Sequence, residues 1–168
     1  ILKAYFKDMN PSYNIKYINE NKPLGTAGSL RMLKKHVNQP IFVTNCDIII
    51  KTNYLSFFEY HKKGKYDISL VASAKEYIIP YGTCEINKHG DLEQIKEKPR
   101  FDFLINAGLY LINPDILDLI PSNKKFHITE LIEHAKKLGK KIGIYPIYED
   151  SWIDVGQWSE YKRAVEKL

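Results

Sequence analysis

Residues 40–47 read Pro-Ile-Phe-Val-Thr-Asn-Cys-Asp. The apolar run Ile41-Phe42-Val43 ends abruptly in polar Thr44, Asn45 and Asp47. That pattern suits a short strand buried in a parallel sheet. Strand and helix signals alternate on both sides of it. Tyr13–Ile18 alternates apolar and polar residues and predicts a strand. Thr26–Val37 has helical spacing, with Leu30, Leu33 and Val37 on one face. Asn53 is placed to cap a helix that runs to Lys63 and closes at Gly64. Tyr66–Ala74 predicts another strand. Gly82–Asn87, Asp91–Glu97 and Ile105–Ile112 predict three strands with no helix between them. Lys88-His89-Gly90 reads as a hairpin turn. A helix at Thr129–Leu138 stops at Gly139, a strand follows at Lys141–Ile147, and a last helix is expected from about Ser159. The sum is an α/β fold. It has a Rossmann-like mixed, mainly parallel sheet flanked by helices, with an antiparallel insertion.

Composition narrows the classes. The chain has 168 residues, and this length is that of one domain. Apolar residues make up 44% and charged residues 27%, which excludes a disordered or collagen-like chain. No run approaches the roughly 18 apolar residues of a membrane-spanning helix. A net charge of +5 agrees with an anionic ligand. The lysines are dispersed and lack the aromatic platform of a nucleic-acid reader, so no nucleic acid is expected. Cys46 and Cys84 share no CxxC spacing. Zinc and a disulfide framework are therefore not expected, and the cytoplasm is the expected compartment. The chain opens on Ile1 within a helical pattern. It reads as a single domain, 1–168, incomplete at its N-terminus.

Five segments carry chemistry. Ligands of open α/β sheets collect beyond the carboxyl ends of strands, where Asp47 stands. A carboxylate there reaches a bound Mg²⁺ and phosphates, or caps a turn. Asn21–Leu30 reads NKPLGTAGSL. Gly25 and Gly28 permit close backbone approach, and Thr26 opens a helix whose N–H groups are free for a base or phosphate. The plain alternative is a capped loop. Glu97-Lys98-Pro99 ends a strand. Pro99 is expected to hold Lys98 extended, which would project Glu97 and Lys98 to opposite sides. Lysine suits phosphate and glutamate suits sugar hydroxyls, although exposed Glu-Lys pairs are also common. Asn106-Ala107-Gly108 interrupts a strand with small residues and suits a flat polar ligand, a bulge or a close strand crossing. Asp154, in Trp152-Ile153-Asp154-Val155-Gly156, is a second carboxylate or a helix cap. Two carboxylates and one divalent ion would make a phosphoryl-transfer centre. The histidines are scattered, with His61 and His134 on helix faces that read as solvated. Ser29 and Ser73 lack a nucleophile-elbow context.

The order of these segments resembles the sugar-1-phosphate nucleotidyltransferases, closest to the branch that is mannose-1-phosphate guanylyltransferase-like. The resemblance runs from about Tyr13 to the C-terminus. It implies a GT-A-like nucleotidyltransferase fold and the joining of a nucleoside triphosphate, GTP favoured, to a sugar 1-phosphate with release of pyrophosphate. It implies that Leu24, Gly25, Thr26 and Ala27 lie along the base, and that Asp47 and Asp154 hold Mg²⁺. It implies that Tyr81 and Gly82 meet the sugar, Glu97 its hydroxyls and Lys98 its phosphate, and that Asn106, Ala107 and Gly108 line the sugar pocket. Asp47, Lys98 and Asp154 are then the catalytic residues. The branch also activates sugars for surface glycans and nonulosonic acids.

Two departures stand out. Cys46 occupies the position before the metal aspartate where the family usually has glycine. The family's opening GGxGTRLxP loop and its Pro-Lys-Pro segment do not occur in these residues. The residues as given are therefore expected to be inactive alone. The missing first strand would leave a sheet edge open, which invites a homodimer or a domain swap. Two other readings are a nucleotide-sugar-binding or regulatory subunit without catalysis, and a glycosyltransferase that uses nucleotide sugars. Ile48-Ile49 after Asp47 replaces the Asp-x-Asp motif of the latter.

Overall fold

The computed structural model describes residues 1–156. Helix α1 (Leu2–Met9) buries no residue. A single turn, α2 (Gly25–Gly28), continues as a 3₁₀ turn at Ser29–Leu33. Then follow β1 (Ile41–Thr44), β2 (Ile48–Ile50), α3 (Tyr54–Gly64), β3 (Ile68–Ile78), β4 (Thr83–Ile86), β5 (Leu92–Lys96), β6 (Arg100–Ile112), α4 (Ile128–Lys137), β7 (Ile142–Ile147) and β8 (Trp152–Asp154). The order in the main sheet is β1-β6-β3-β7. Strands β1, β3 and β7 share one direction, and β6 runs against them.

Each face of this sheet carries its own core. On one side Ile68, Tyr110 and Ile112 meet Ala27 and Leu131 from α2 and α4. On the other Val71, Leu109 and Leu111 meet Phe57 of α3 and Ile147. Apolar burial on both faces is what a central strand between two helical layers requires.

Local chemistry sets the helix ends. The Asn53 side chain accepts from Ser56 N–H at 3.0 Å, which satisfies a free donor of the first turn of α3. His127 N–H donates to the Glu130 carboxylate, one half of a capping box on α4. The hairpin turn forms with Gly90 at φ 90°, and Asn87 Oδ1 accepts from the N–H groups of His89 and Asp91.

Several expectations change. Tyr13–Ile18 forms no strand, and among the described residues no strand lies beside it to complete its backbone hydrogen bonds. Thr26–Val37 shortens to α2 and a 3₁₀ turn. Strand β1 is not buried in a parallel pair. It is an antiparallel neighbour of β6 at the sheet margin, with Phe42 exposed. Strands β3 and β6 outrun their predicted ends and pair as far as Ile78 with Arg100, forming an arm beyond the core. The helix expected from about Ser159 lies outside the described residues.

His61 is also not on a solvated face. It is 2% exposed, with Nδ1 2.8 Å from Ser69 Oγ and Nε2 3.0 Å from Asn113 Oδ1. Asn113 Nδ2 donates to Tyr66 O, which turns the amide oxygen toward the ring. Nε2–H therefore donates to Asn113, and Ser69 donates to Nδ1. A helical period cannot show this, since the partners come from β3 and from the end of β6.

Candidate active site

Asp47 and Asp154 start far apart in sequence and meet through the smallest sheet. β2 pairs antiparallel with β8, so Ile48 stands opposite Asp154. Val155 N–H closes the junction by donating to Asp47 O at 2.9 Å. Gly156 then passes beneath both side chains. A Cβ there would lie 3.0 Å from Asp47 Oδ2 and 3.1 Å from Asp154 Oδ1. Gly156 N–H donates to Asp154 Oδ1 at 3.0 Å. Among the described residues neither carboxylate has a basic partner within ion-pair distance. Two carboxylates at one small gap repel, and a bound cation relieves that repulsion. Three-residue clusters of metal-ligand type are absent among the described residues.

The bulge in β6 supports the same turn. Pairing with β3 slips between Leu70 and Ala72, across Asn106–Tyr110. Gly108 takes φ +80°, and its missing side chain admits Asn45, whose Nδ2 would stand 2.9 Å from a Cβ there. Asn45 N–H donates to Gly108 O at 3.0 Å. The turn that ends in Asp47 thus rests on the bulge. Asn106 spends much of its side chain inside that bulge. Oδ1 accepts from Gly108 N–H, and Nδ2 donates to the Tyr110 hydroxyl at 2.8 Å. Burial raises the Tyr110 pKa, and the Asn106 hydrogen bond opposes that rise. Ala107 is buried in the α3-side core.

Gly82 and Glu97 also meet. They flank β4 and β5, and a Cβ on Gly82 would stand 3.1 Å from Glu97 Oε2. Tyr81 is 74% exposed beside them. Lys98 departs from expectation. It takes φ +46°, the left-handed region, as the chain turns from β5 into β6. Proline disfavours the right-handed α region in the residue before it, and the tight turn selects the left-handed alternative.

The glycine loop is tied down more than its sequence suggests. Ala27 and Gly28 N–H both donate to Phe126 O, and Phe126 N–H donates to Leu24 O. Thr26 Oγ1 accepts from Ile128 N–H at 2.9 Å and so caps α4 instead of its own turn. The expected free N–H groups at Ala27 and Gly28 are therefore spent. Leu24 and Ala27 point into the core. Gly25, at φ +78°, is required by contact, because a Cβ would stand 2.7 Å from Phe126 O. What this loop offers a ligand is backbone.

Sequence reasoning missed Asn45 and Gly156 as site residues. Gly156 was signalled by its place two residues after Asp154. Asn45 carried no signal, because its partner lies in another strand. A cavity of about 280 Å³, lined by Pro40, His61, Lys62, Lys65, Tyr66 and Asn113, opens elsewhere, beside the start of β1.

Two carboxylates thus meet at strand ends of a mixed α/β sheet, where ligands of such sheets collect. The chain belongs to the nucleotidyl transferase family, whose profile matches residues 1–168. It is 32% identical over 169 residues to mannose-1-phosphate guanyltransferase 2 of Candida glabrata, covering 95% of this chain and 45% of that protein. It is 29% identical to the D-glycero-alpha-D-manno-heptose 1-phosphate guanylyltransferase of Campylobacter jejuni, covering 96% of this chain and 71% of that one. The chain thus spans a little under half the length of its fungal relatives. The crystal structure of HddC from Yersinia pseudotuberculosis has the same fold, with a TM-score of 0.72 at 24% identity over 99% of this chain and 72% of that one. A further HddC structure holds GMP-PN.

Proposed function

We propose that the protein carrying this chain transfers a guanylyl group from GTP to a sugar 1-phosphate, yielding a nucleotide sugar and pyrophosphate. The observation that carries this reading is the meeting of Asp47 and Asp154 over Gly156. Support for the base and the sugar comes from relatives named for mannose 1-phosphate and a manno-heptose 1-phosphate. A pyranose of manno configuration is accordingly the proposed acceptor. Activated sugars for surface glycans or nonulosonic acids are the proposed use, and the cytoplasm is the proposed compartment.

In the reaction a phosphate oxygen of the sugar 1-phosphate attacks the α-phosphorus of GTP. The bond to the β-phosphate oxygen breaks, and pyrophosphate leaves. The barrier is mostly the approach of two anions and the alignment of the attacking oxygen, so positioning and charge do the work. Asp47 and Asp154 would hold Mg²⁺, which prefers one or two carboxylates plus phosphate oxygens. That ion supplies neutralisation of the phosphate charge. Lys98 would draw in the sugar phosphate, and Glu97, facing Gly82, would accept from sugar hydroxyls. Tyr81 would cover the sugar. The bulge Asn106-Ala107-Gly108 would wall the sugar pocket and brace the Asp47 turn. Leu24, Gly25, Thr26 and Ala27 would border the base through main-chain atoms.

The test is pyrophosphate release by the full polypeptide with Mg²⁺, a panel of sugar 1-phosphates and each of GTP, UTP, CTP and dTTP. Release with GTP and a manno-configured sugar, lost in Asp47→Ala and Asp154→Ala, supports the reading. Binding without release for every pair would replace it with a nucleotide-sugar-binding role.

A further inference from the structure

Gly108 has every part of its backbone committed. Its N–H donates to Asn106 Oδ1 at 3.1 Å, and Asn106 Nδ2 donates in turn to the hydroxyl of buried Tyr110. Its carbonyl accepts from Asn45 N–H at 3.0 Å. Its Cα, at φ +80°, faces the turn that carries Asp47. A Cβ there would stand 2.9 Å from Asn45 Nδ2, 3.1 Å from Asn45 Cγ and 3.2 Å from Ile48 Cδ1. Asn45 and Ile48 bracket Asp47 in the chain. Asn45, Cys46 and Asp47 are all exposed, so packing from above does not hold this turn. Its ties to β8 run through Ile48, opposite Asp154, and through the Asp47 carbonyl. Its tie to the bulge of β6 is the contact of Asn45 with Gly108.

We propose that Asn45 is a positioning residue for the carboxylate pair. It clamps the Asp47 turn to the Gly108 bulge, with its N–H on the carbonyl and its flat amide against the Cα. The bulge then sets where the Asp47 carboxylate stands relative to Asp154. Two carboxylates that share one cation must be held to within about half an ångström, which an exposed turn tied on one side alone does not achieve. Shape selects this pair of residues: the glycine leaves the space, and the amide fills it. The bulge is anchored in the core by Tyr110, so the carboxylate inherits the rigidity of a buried strand. The proposal rests on the cation seat of the transferase reading and needs neither the base nor the sugar of that reading.

Mn²⁺ binding to the full polypeptide, followed by electron paramagnetic resonance with and without GTP, tests this without turnover. The bound fraction lost in Asp154→Ala reports the seat. Asn45→Ala keeps the backbone bond, removes the amide and should raise the Mn²⁺ Kd by about tenfold. Gly108→Ala drives a methyl group into the amide and should raise it by about 10- to 100-fold. In the double variant the methyl group meets open space, so the Kd should return to that of Asn45→Ala. The urea midpoint should stay low, because alanine at φ +80° is strained in either background. A merely structural glycine would move both quantities together. Should Gly108→Ala fail to fold, Asn45→Ala decides alone. Sensitive Mn²⁺ binding in a parent chain that releases no pyrophosphate supports the clamp and overturns the transferase reading. Unchanged Mn²⁺ affinity in Asn45→Ala, or additive losses in the double variant, overturns the clamp. So does a parent chain that binds no Mn²⁺.

Discussion

The carboxylate junction and the β4–β5 hairpin are built in opposite ways. At the junction the contacts that join the segments are long-range: β2 on β8, Val155 on Asp47, Asn45 on Gly108. The hairpin closes on itself through its own ladder and its own Lys96–Glu85 pair, and its apolar side chains stand open. The proposed metal end is therefore coupled to the core, while Gly82 and Glu97 of the proposed sugar end ride on a separate unit. Changes at the first should disturb both chemistry and folding, and changes at the second should disturb binding alone.

The largest effect expected is on turnover. Asp47→Ala or Asp154→Ala should lower kcat by about 10³-fold, the scale of losing a main electrostatic contact. Steady-state pyrophosphate release checks this, and a retained rate would remove both residues from the proposed centre. Leu111→Ala, in the α3-side core and fully buried, should cost about 3 kcal/mol in urea unfolding. Lys98→Ala separates the two regions best. It should raise the KM for the sugar 1-phosphate by roughly 10- to 100-fold, as expected for a hydrogen bond to a charged group, and leave the urea midpoint unchanged. If that variant also unfolded early, the hairpin would not be a separate unit.

The smallest effect is in pH dependence. The Tyr60 hydroxyl, which donates to Ile144 O at 2.9 Å and contacts Tyr66, is pushed up to about 12, chiefly by burial and then by Tyr66. The neutral hydroxyl is the form that the fold favours. Its contribution is complete below pH 10, the ordinary tyrosine value, and is lost as pH rises toward 12. Urea midpoints across that range should fall less steeply in Tyr60→Phe than in the parent chain. Equal slopes would sever the link between α3 and β7 that this contact makes.

Most elements were legible because their signals are local. The Asn53 cap, the Gly90 turn, the helix up to Gly139 and the strand expected at Asp91–Glu97 each depend on residues within one or two turns. Where the reading failed, a distant partner decided. Tyr13–Ile18 has strand alternation but, among the described residues, no neighbour to pair with. His61 reads as solvated until Ser69 and Asn113 arrive from other elements. Thr26 reads as the cap of its own helix, yet it caps α4. The candidate residues were named from motif order, which needs no coordinates, and Asp47 was also marked by its place at a strand end.

What the amino-acid sequence determined alone was therefore the kind of sheet, most element positions, and the residue types able to manage phosphate charge. Propensity, capping and periodicity act over a few residues and survive without the rest of the chain. Only the tertiary structure decided that two carboxylates face one gap over Gly156, that Gly108 makes room for Asn45, and that one hairpin face is left uncovered. Those outcomes depend on strand pairing between distant segments, whose register is set by burial of both sheet faces at once.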